Sequence, residues 1–292
     1  MYLGIDTSCY TTSVALAEHG KILYDGRIML EVPKGRRGLR QSDAVFLHNR
    51  NLSMLLEGLN LSRVKCVSVA SRPRDVEGSY MPVFLAGVCA AKAVRAALGC
   101  EYHEFSHQRG HIKAGIFGTE AESWDKAPFI AVHISGGTTE ILCINGDDIK
   151  IIGRTLDISA GQLIDRVGVF LGLEFPCGKS LEELALKKTK DIDLPVTVNG
   201  ANINFSGAET KALRISEKPE NIAAAVLECI AKSVKKAVES AKSSCSTERV
   251  VMVGGVASNR QIRDYMGNTA VFGNPRLCSD NAVGIALLGI RD

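Results

Sequence analysis

Residues 129–144 read Phe-Ile-Ala-Val-His-Ile-Ser-Gly-Gly-Thr-Thr-Glu-Ile-Leu-Cys-Ile, two apolar runs joined by a Ser-Gly-Gly-Thr turn. The turn Asn145-Gly146-Asp147-Asp148 follows, and a third run occupies residues 149–153. Asn-Gly between short runs rich in β-branched residues is typical of a β-hairpin. The stretch therefore predicts a β-meander, in which three consecutive strands pair antiparallel.

The first 24 residues repeat this pattern. Apolar runs at 2–5, 13–17 and 22–24 are separated by a hydroxyl-rich turn at 6–13 and by His19-Gly20. Two copies of one meander predict a duplicated α/β protein with a cleft between its lobes. We expect an N-terminal lobe at 1–125 and a C-terminal lobe at 126–292, with the last helix packing on the N-terminal lobe as an alternative.

Composition limits the class of protein. The chain has 292 residues, of which 46% are hydrophobic, and a net charge of +3 that neither requires nor excludes a nucleic-acid partner. The longest apolar run, 81–91, is shorter than the roughly 20 residues that span a bilayer, and Asp6 interrupts any signal-peptide core. Nine cysteines without Cys-x-x-Cys predict no disulfide framework and a reducing cytoplasm.

Helical patterns connect the meanders. Helices are predicted at 43–58, 82–98, 160–171 and 220–243, and the last has apolar residues at spacings of four from Ile222 to Val238. Residues 202–207 are interpreted as an irregular strand and turn. A strand at 249–253 runs into Gly254-Gly255, and a helix follows from Arg260.

His107 and His111 are separated by one helical turn, so they share a helix face and can bind one metal ion. Two solvated histidines at a helix start would give the same pattern. Ser106 is placed to cap the helix. A zinc peptidase motif would need Glu after the first histidine, where Gln108 stands, so the motif supplies no hydrolytic base.

Several polar stretches have two interpretations each. The turn at 6–13 can hold phosphate or a hydrated cation, or can be a plain turn. Gly254-Gly255 between a strand and a helix admits a phosphate ligand, or serves the fold alone. Asp280 precedes an apolar helix and is read from its position as an N-cap. The basic loops at 34–40 and 72–74 are predicted to contact tRNA phosphates if the protein acts on nucleic acid.

Taken together, the polar motifs resemble those of the TsaD family of tRNA threonylcarbamoyladenosine transferases, and the match runs in order over nearly the whole chain. The matching residues are His107, Gly110 and His111; Ser135 to Thr138; Ala160, Gly161 and Asp165; Leu171 to Leu173 with Phe175, Pro176 and Gly178; Phe205 to Gly207; Gly254 to Val256 with Asn259 and Arg260; and Cys278 to Asn281.

This resemblance implies the duplicated actin/Hsp70/sugar-kinase (ASKHA) fold with ribonuclease-H-like lobes. It also implies transfer of a threonylcarbamoyl group from a threonylcarbamoyl-adenylate to an adenosine of tRNA. One divalent metal ion, iron or zinc, is implied, together with an adenine nucleotide or the adenylate as ligand. Partners would be tRNA and TsaB-like and TsaE-like proteins.

Carried over residue by residue, the resemblance assigns two groups of binding residues and leaves the catalytic residues unassigned. The metal ligands are His107, His111 and Asp280, with Asp280 joining the histidines from the other lobe. The nucleotide contacts are His133, Ile134, Ser135, Gly136, Gly137, Asp165, Gly178, Gly254, Gly255 and Asn259.

The chain departs from the family pattern in three loops. Tyr10-Thr11-Thr12 replaces a pair of carboxylates, Ser71-Arg72-Pro73-Arg74 replaces Gly-Pro-Gly-Leu, and Thr138 replaces histidine. These departures keep two alternatives open. One is a paralogue that binds nucleotide and metal without transfer and acts as a scaffold or regulator. The other is a small-molecule carbamoyltransferase or kinase of the same fold.

Overall fold

The computed structural model describes residues 1–8, 10–32, 39–124 and 127–290. The chain divides into unit 1, Met1–Gly118 with Ser279–Asp292, and unit 2, Thr119–Cys278. From the sequence we predicted a boundary between residues 125 and 126 and assigned the C-terminal segment to the second lobe. In the structure that segment groups with unit 1, which was the stated alternative for the last helix.

Unit 1 is built, in its described part, on a five-stranded sheet of order β3-β2-β1-β4-β5. The predicted meander forms its antiparallel half, and β4 and β5 add parallel to β1. Alternating apolar residues such as Leu3, Ile5 and Val67 pack under α1 and α2. The elements are β1 (Tyr2–Asp6), β2 (Thr11–Glu18), β3 (Lys21–Met29), α1 (Gln41–Leu56), β4 (Cys66–Arg72), α2 (Phe84–Leu98), β5 (Glu101–Ser106) and α3 (His107–Ile116).

Unit 2 repeats this order, since its meander strands β8-β7-β6 continue into the parallel strands β11 and β12. The repeat confirms the duplication that the two meanders predicted. The elements are β6 (Phe129–Ile134), β7 (Thr139–Asn145), β8 (Asp148–Arg154), α4 (Ala160–Phe170), α5 (Gly178–Ala185), β9 (Thr197–Asn199), β10 (Asn202–Asn204), α6 (Ser206–Ala212), α7 (Pro219–Cys245), β11 (Val250–Val253), α8 (Arg260–Met266) and β12 (Val271–Phe272).

The long helix α7 supplies much of the core of unit 2. Its residues at spacings of four, from Ile222 to Val238, are at most 3% exposed. Each such side chain contributes about 1.5–3 kcal/mol on full burial. The strand predicted at the start of 202–207 is confirmed as β10, but the turn predicted after it is wrong, because Ser206 begins α6. Asp157 accepts hydrogen bonds from the backbone N–H groups of Phe205 and Ser206 there.

Helix α9 (Val283–Leu288) packs on the sheet of unit 1 and on α3. A side chain at Gly4 would lie 2.4 Å from the carbonyl oxygen of Ala282, so β1 and the start of α9 approach closely. None of the helices in the described ranges is long and apolar enough to cross a membrane.

A disulfide joins Cys143 on β7 to Cys245 at the end of α7. The sequence predicted no disulfide framework, and this pair is the exception. The two cysteines are 102 residues apart, so no local spacing signals their proximity. Their Cα atoms lie 5.9 Å apart because α7 packs across the meander of unit 2.

Candidate functional site

The two histidines of α3 converge with Asp280 inside unit 1. Asp280 Oδ1 lies 3.1 Å from His111 Nε2 and 3.5 Å from His107 Nε2. The ligand atoms of the three residues all lie within 4.8 Å of one another. The imidazole rings are one helical turn apart, with centroids separated by 4.4 Å. Three ligand atoms at these distances could hold one metal ion.

Asp280 does not cap α9, although its position favoured that interpretation. Ala282 is the N-cap residue, and the side chain of the preceding Asn281 does the capping, because its Oδ1 accepts from the backbone N–H groups of Val283 and Gly284. The Asp280 carboxylate instead contacts His111 and His107. The expectation that the triad joins two lobes is also wrong, because all three residues belong to unit 1.

A glycine contact between α3 and α9 places Asp280 beside the histidines. A Cβ at Gly284 would lie 1.9 Å from the carbonyl oxygen of Gly110, and a Cβ at Gly110 would lie 2.8 Å from Ile285. Only glycine allows helices to approach this closely. Gly110, between the two histidines in sequence, therefore fixes the distance between the helix that carries them and the segment that carries Asp280.

Asp6, at the end of β1, is a functional residue that the sequence did not assign. Its Oδ2 lies 2.7 Å from His107 Nδ1 and the residue is 1% exposed. A carboxylate on one ring nitrogen of a metal-binding histidine fixes the ring and leaves the other nitrogen for the ion. The polar turn at 6–13 contained the signal, as a carboxylate directly after a buried strand.

The charges of the triad suit a divalent cation. Burial would lower the pKa of His107, but the charge of Asp6 and the hydrogen bonds that the imidazole donates to Asp280 and Asp6 raise it well above its ordinary value. Burial opposes ionisation of Asp280 as well, yet the hydrogen bonds from His107 and His111 hold its pKa well below its usual range. Two carboxylates thus stabilise positive charge at the imidazoles, which a bound divalent ion would supply. The donor set fits a metal.

A clamp that the sequence also missed anchors the start of α3. Asp75 accepts from Arg72, from Ser106 Oγ at 2.9 Å and from Arg109 Nε at 3.0 Å. Ser106 in turn accepts from the backbone N–H of Arg109, so the predicted N-cap is confirmed. Burial raises the pKa of Asp75, but hydrogen bonds from Arg109, Ser106 and Arg72 more than offset this and lower it.

This clamp bears on the predicted tRNA contacts. Arg72 is ion-paired with Asp75 at 2.6 Å and is not an isolated positive charge. Of the other basic loop, at 34–40, residues 33–38 lie outside the described residues. The tRNA contact of both loops stays a prediction.

Unit 2 contains a cavity of about 320 Å³ that gathers residues from four separate motifs. Ligand pockets have volumes of about 300–1,000 Å³. Five of the residues predicted to bind nucleotide line it: Gly136, Asp165, Gly178, Gly255 and Asn259. No described atom lies within 4 Å of the position that a Cβ would take at Gly136, Gly178 or Gly255. These glycines leave open space where a ligand can approach the backbone.

Helix α4 holds the glycine turn of this cavity in place. Ser159 Oγ donates to the carbonyl oxygen of Gly136 at 2.7 Å and also caps α4 by accepting from Gln162. A Cβ at Gly161 would lie 2.4 Å from the Cα of Gly136. The turn is therefore seated against the positive N-terminal end of α4.

Polar side chains surround the cavity. Asp165 Oδ1 accepts from the backbone N–H of Cys177 at 2.8 Å, and burial raises its pKa despite that bond. Asn259 Oδ1 accepts from Ile262 and caps α8, so the carboxamide has a structural task in addition to lining the cavity. Lys179, which the sequence did not assign, lines the cavity and brings a positive charge beside Gly178.

The other predicted nucleotide contacts do not line this cavity. His133 and Ile134 are on β6 and are 5% and 0% exposed. Ser135 and Gly137 belong to the same turn as Gly136. Gly254 has a positive φ of 98°, and a Cβ there would lie 2.3 Å from the carbonyl oxygen of Ile134. Glycine at this position therefore allows close packing against β6.

Two residues at which the chain departs from the family pattern, Thr12 and Thr138, form hydrogen bonds that stabilise the local structure. Thr12 is fully buried, and its Oγ1 is 2.9 Å from His48 Nδ1 and accepts from Asn51. Thr138 closes the glycine turn, since its backbone N–H donates to Ser135 Oγ and its carbonyl oxygen accepts from the Ser135 N–H.

Comparison with known sequences agrees with the motifs. The family model described as TsaD, tRNA N6-adenosine threonylcarbamoyltransferase, matches residues 51–287. Curated proteins with that name from Thermococcus kodakarensis and Thermococcus sibiricus are 29% and 30% identical, over 99% of this chain and 90% of each relative. A probable bifunctional tRNA threonylcarbamoyladenosine biosynthesis protein of Methanocaldococcus jannaschii is 28% identical over 99% of this chain and 54% of its own length.

Comparison with solved structures confirms the ASKHA fold. HypF of T. kodakarensis matches with a TM-score of 0.63 at 16% identity, over 99% of this chain and 48% of that one. A ROK family glucokinase from Streptomyces griseus, in complex with glucose and AMPPNP, matches with a TM-score of 0.57 at 12% identity, over 99% and 98%. At these identities the likeness concerns the fold alone.

Proposed function

The chain belongs to the tRNA N6-adenosine threonylcarbamoyltransferase family, and on that premise we propose that it transfers a threonylcarbamoyl group to an adenosine of tRNA. Membership supports tRNA threonylcarbamoyladenosine biosynthesis as the process. The donor in this proposal is a threonylcarbamoyl-adenylate. Such a substrate also implies a cytoplasmic location.

The observation that carries the proposal is the convergence of His107, His111 and Asp280, backed by Asp6. The Nε2 atoms of the histidines and Oδ1 of Asp280 would hold an iron or zinc ion. Such an ion supplies a Lewis acid that binds or polarises phosphate and carbonyl oxygens. Asp6 keeps the Nδ1 proton of His107 in place and so keeps its Nε2 available as a ligand.

The adenylate part of the donor fits the cavity of unit 2. Backbone at the open glycines Gly136, Gly178 and Gly255 can meet phosphate or sugar without a side chain in the way. Lys179 adds a positive charge for the phosphate. Asp165 keeps one carboxylate oxygen on Cys177, and its other oxygen suits a ribose hydroxyl.

The reaction is a carbamoyl transfer. The exocyclic amine of the adenosine attacks the carbamoyl carbonyl carbon of the donor, and a carbon–nitrogen bond forms. The bond from that carbon to the phosphate oxygen breaks, AMP leaves, and the amine loses one proton. This chain's residues bind and orient the donor, and no residue is assigned as the base.

The test is turnover with nucleotide binding as a separate readout. Purified protein loaded with metal is given threonylcarbamoyl-adenylate and tRNA, and modified adenosine is measured by mass spectrometry. Calorimetry with AMP on Gly255→Val should show at least a tenfold loss, because valine would fill the open space over the backbone. Gly207→Val is the matched control, since position 207 has room for a Cβ and does not line this cavity.

The altered loops favour a second candidate, a paralogue that binds nucleotide and metal without transfer. The Arg72–Asp75 pair stands where the family has a glycine-rich loop, and it fastens that loop to α3. Tight binding of nucleotide with no modified tRNA would support this candidate over the first. Turnover of the donor with a small molecule in the absence of tRNA would instead identify a small-molecule transferase.

A further inference from the structure

A second group of metal-ligand residues lies in unit 1, apart from the triad. Cys66 begins β4 and Glu101 begins β5, and the two residues are partners in the parallel ladder. His103 follows two residues later on β5, so its side chain is on the same face as that of Glu101. Sγ of Cys66, a carboxylate oxygen of Glu101 and a ring nitrogen of His103 all lie within 4.8 Å of one another.

The imidazole of His103 has an unusual environment. Its Nε2 is buried and has no hydrogen-bond partner among the described residues. Oε2 of Glu101 lies 3.6 Å from this nitrogen, beyond hydrogen-bond distance. A buried ring nitrogen without a partner costs free energy, and a metal ion is one way to satisfy it.

The site is closed on one side and open on the other. Cys66 is 1% exposed, and a Cβ at Gly289 would lie 2.4 Å from Ser68 Oγ and 3.4 Å from Cys66 Sγ, so the end of α9 covers the thiol. The Glu101 side chain is 72% exposed and can rotate. An ion can therefore enter past the exposed carboxylate and meet the thiol and imidazole behind it.

We infer that Cys66, His103 and Glu101 form a zinc site. Zinc accepts sulfur, nitrogen and oxygen ligands together, whereas magnesium and calcium prefer oxygen. Tetrahedral ligands around zinc lie about 3.3–3.8 Å apart, so a small rotation of Glu101 completes the three-ligand set. Binding replaces the thiol proton, which is released to solvent, and water takes the fourth position.

The position of the site gives it a structural consequence. β5 is the edge strand of its sheet, and it runs directly into Ser106 and the helix of His107 and His111. Zinc at Cys66 and His103 would fasten the beginning of this strand to β4. The inference goes beyond the proposed transfer activity and concerns residues that the activity does not use.

Cobalt(II) titration of the full chain tests the site, because a thiolate ligand gives a near-ultraviolet charge-transfer band. The triad contains no sulfur, so it cannot produce this band. The band should appear in the parent, persist in the double variant His107→Ala/His111→Ala, disappear in Cys66→Ser and be displaced by zinc. Cys89→Ser, which removes an exposed thiol elsewhere in unit 1, is the matched control and should keep the band.

Two surface-side variants keep the test decisive if Cys66→Ser fails to fold. His103→Gln and Glu101→Gln should each weaken cobalt binding at the sulfur-containing site at least tenfold. Absence of the band in the folded parent, its survival in Cys66→Ser, its loss in Cys89→Ser, or unchanged affinity in His103→Gln would each overturn the inference. None of these results bears on transfer or on AMP binding, so the two proposals fail separately.

Discussion

Asp280 contacts the two histidines, whereas the adjacent Asn281 caps α9. Replacing each residue by alanine therefore separates metal binding from helix capping. Asp280→Ala removes the carboxylate that lies 3.1 Å from His111. Asn281→Ala removes the cap of α9, which accepts from Val283 at 3.0 Å and Gly284 at 3.4 Å. The first change should reduce metal binding, and the second should reduce stability.

The magnitudes follow from these contacts. Loss of a partner behind a metal ligand costs about 10–100-fold in affinity, so loss of a ligand itself should cost at least about 100-fold, or roughly 2.7 kcal/mol. Loss of an N-cap costs about 1 kcal/mol, which for a unit of this size lowers the melting temperature by about 4 °C. Asn281→Ala should keep metal affinity within about threefold of the parent, since the Asn281 amide bonds to the backbone of Ser279, Val283 and Gly284 and supplies no ligand atom to the triad.

The assay is metal titration by calorimetry on metal-free protein, with melting of the metal-free form as the second measurement. His107→Ala is the positive control for ligand loss. Full metal affinity in Asp280→Ala would refute the three-ligand site. Equal loss of metal affinity in Asn281→Ala would show that the helix end as a whole, and not the Asp280 carboxylate, governs binding.

Three further variants probe the surroundings. Asp6→Asn should weaken metal binding about 10–100-fold by calorimetry, because the carboxylate that holds His107 Nδ1 is lost; unchanged binding would remove Asp6 from the site. Gly284→Ala should lower the free energy of unfolding by about 1–3 kcal/mol in urea titration and weaken metal binding with it, because its Cβ would lie 1.9 Å from Gly110. The hydrogen bonds to Asp157, opposed by burial, lower the pKa of that carboxyl to about 2. It should contribute about 1 kcal/mol above pH about 4, after solvent screening, and lose it as the pH falls to about 2; an Asp157→Asn variant with the same acid sensitivity as the parent would contradict this.

Local patterns were sufficient to predict the scaffold. Apolar runs separated by glycine-containing turns, His19-Gly20 and Asn145-Gly146, predicted both meanders, and a spacing of four from Ile222 to Val238 predicted the buried face of α7. The duplicated sheet order then followed, because β-strands that repeat in sequence repeat their pairing. Each strand and helix depends on a pattern within a short window of about 11–18 residues, which is the range over which periodicity is informative.

Pairings between distant segments could not be predicted in this way. Asp280 and Asn281 are both residue types that can cap a helix. The side chain of Asn281 does so because α9 packs against Gly110, and this long-range contact is not visible in the sequence. The Asp75 clamp and the Cys143–Cys245 disulfide likewise join segments with no common motif. The resemblance to a known family identified Asp280 as a candidate metal ligand. It could not identify the role of Asp75, because Asp75 lies beside a loop where this chain departs from that family.

The position of the departures in unit 1 indicates which properties they affect. Thr12 points its hydroxyl into the buried network of His48 and Asn51, whereas the triad depends on α3, α9 and Asp6. Changes at 10–12 therefore leave the ligand set intact. The loop at 71–74 is different, because through Asp75 it fastens the N-terminus of the histidine helix. We therefore expect a change at Asp75, which holds Ser106 and Arg109 at the start of α3, to alter metal affinity, and a change at Thr12 to leave it unchanged.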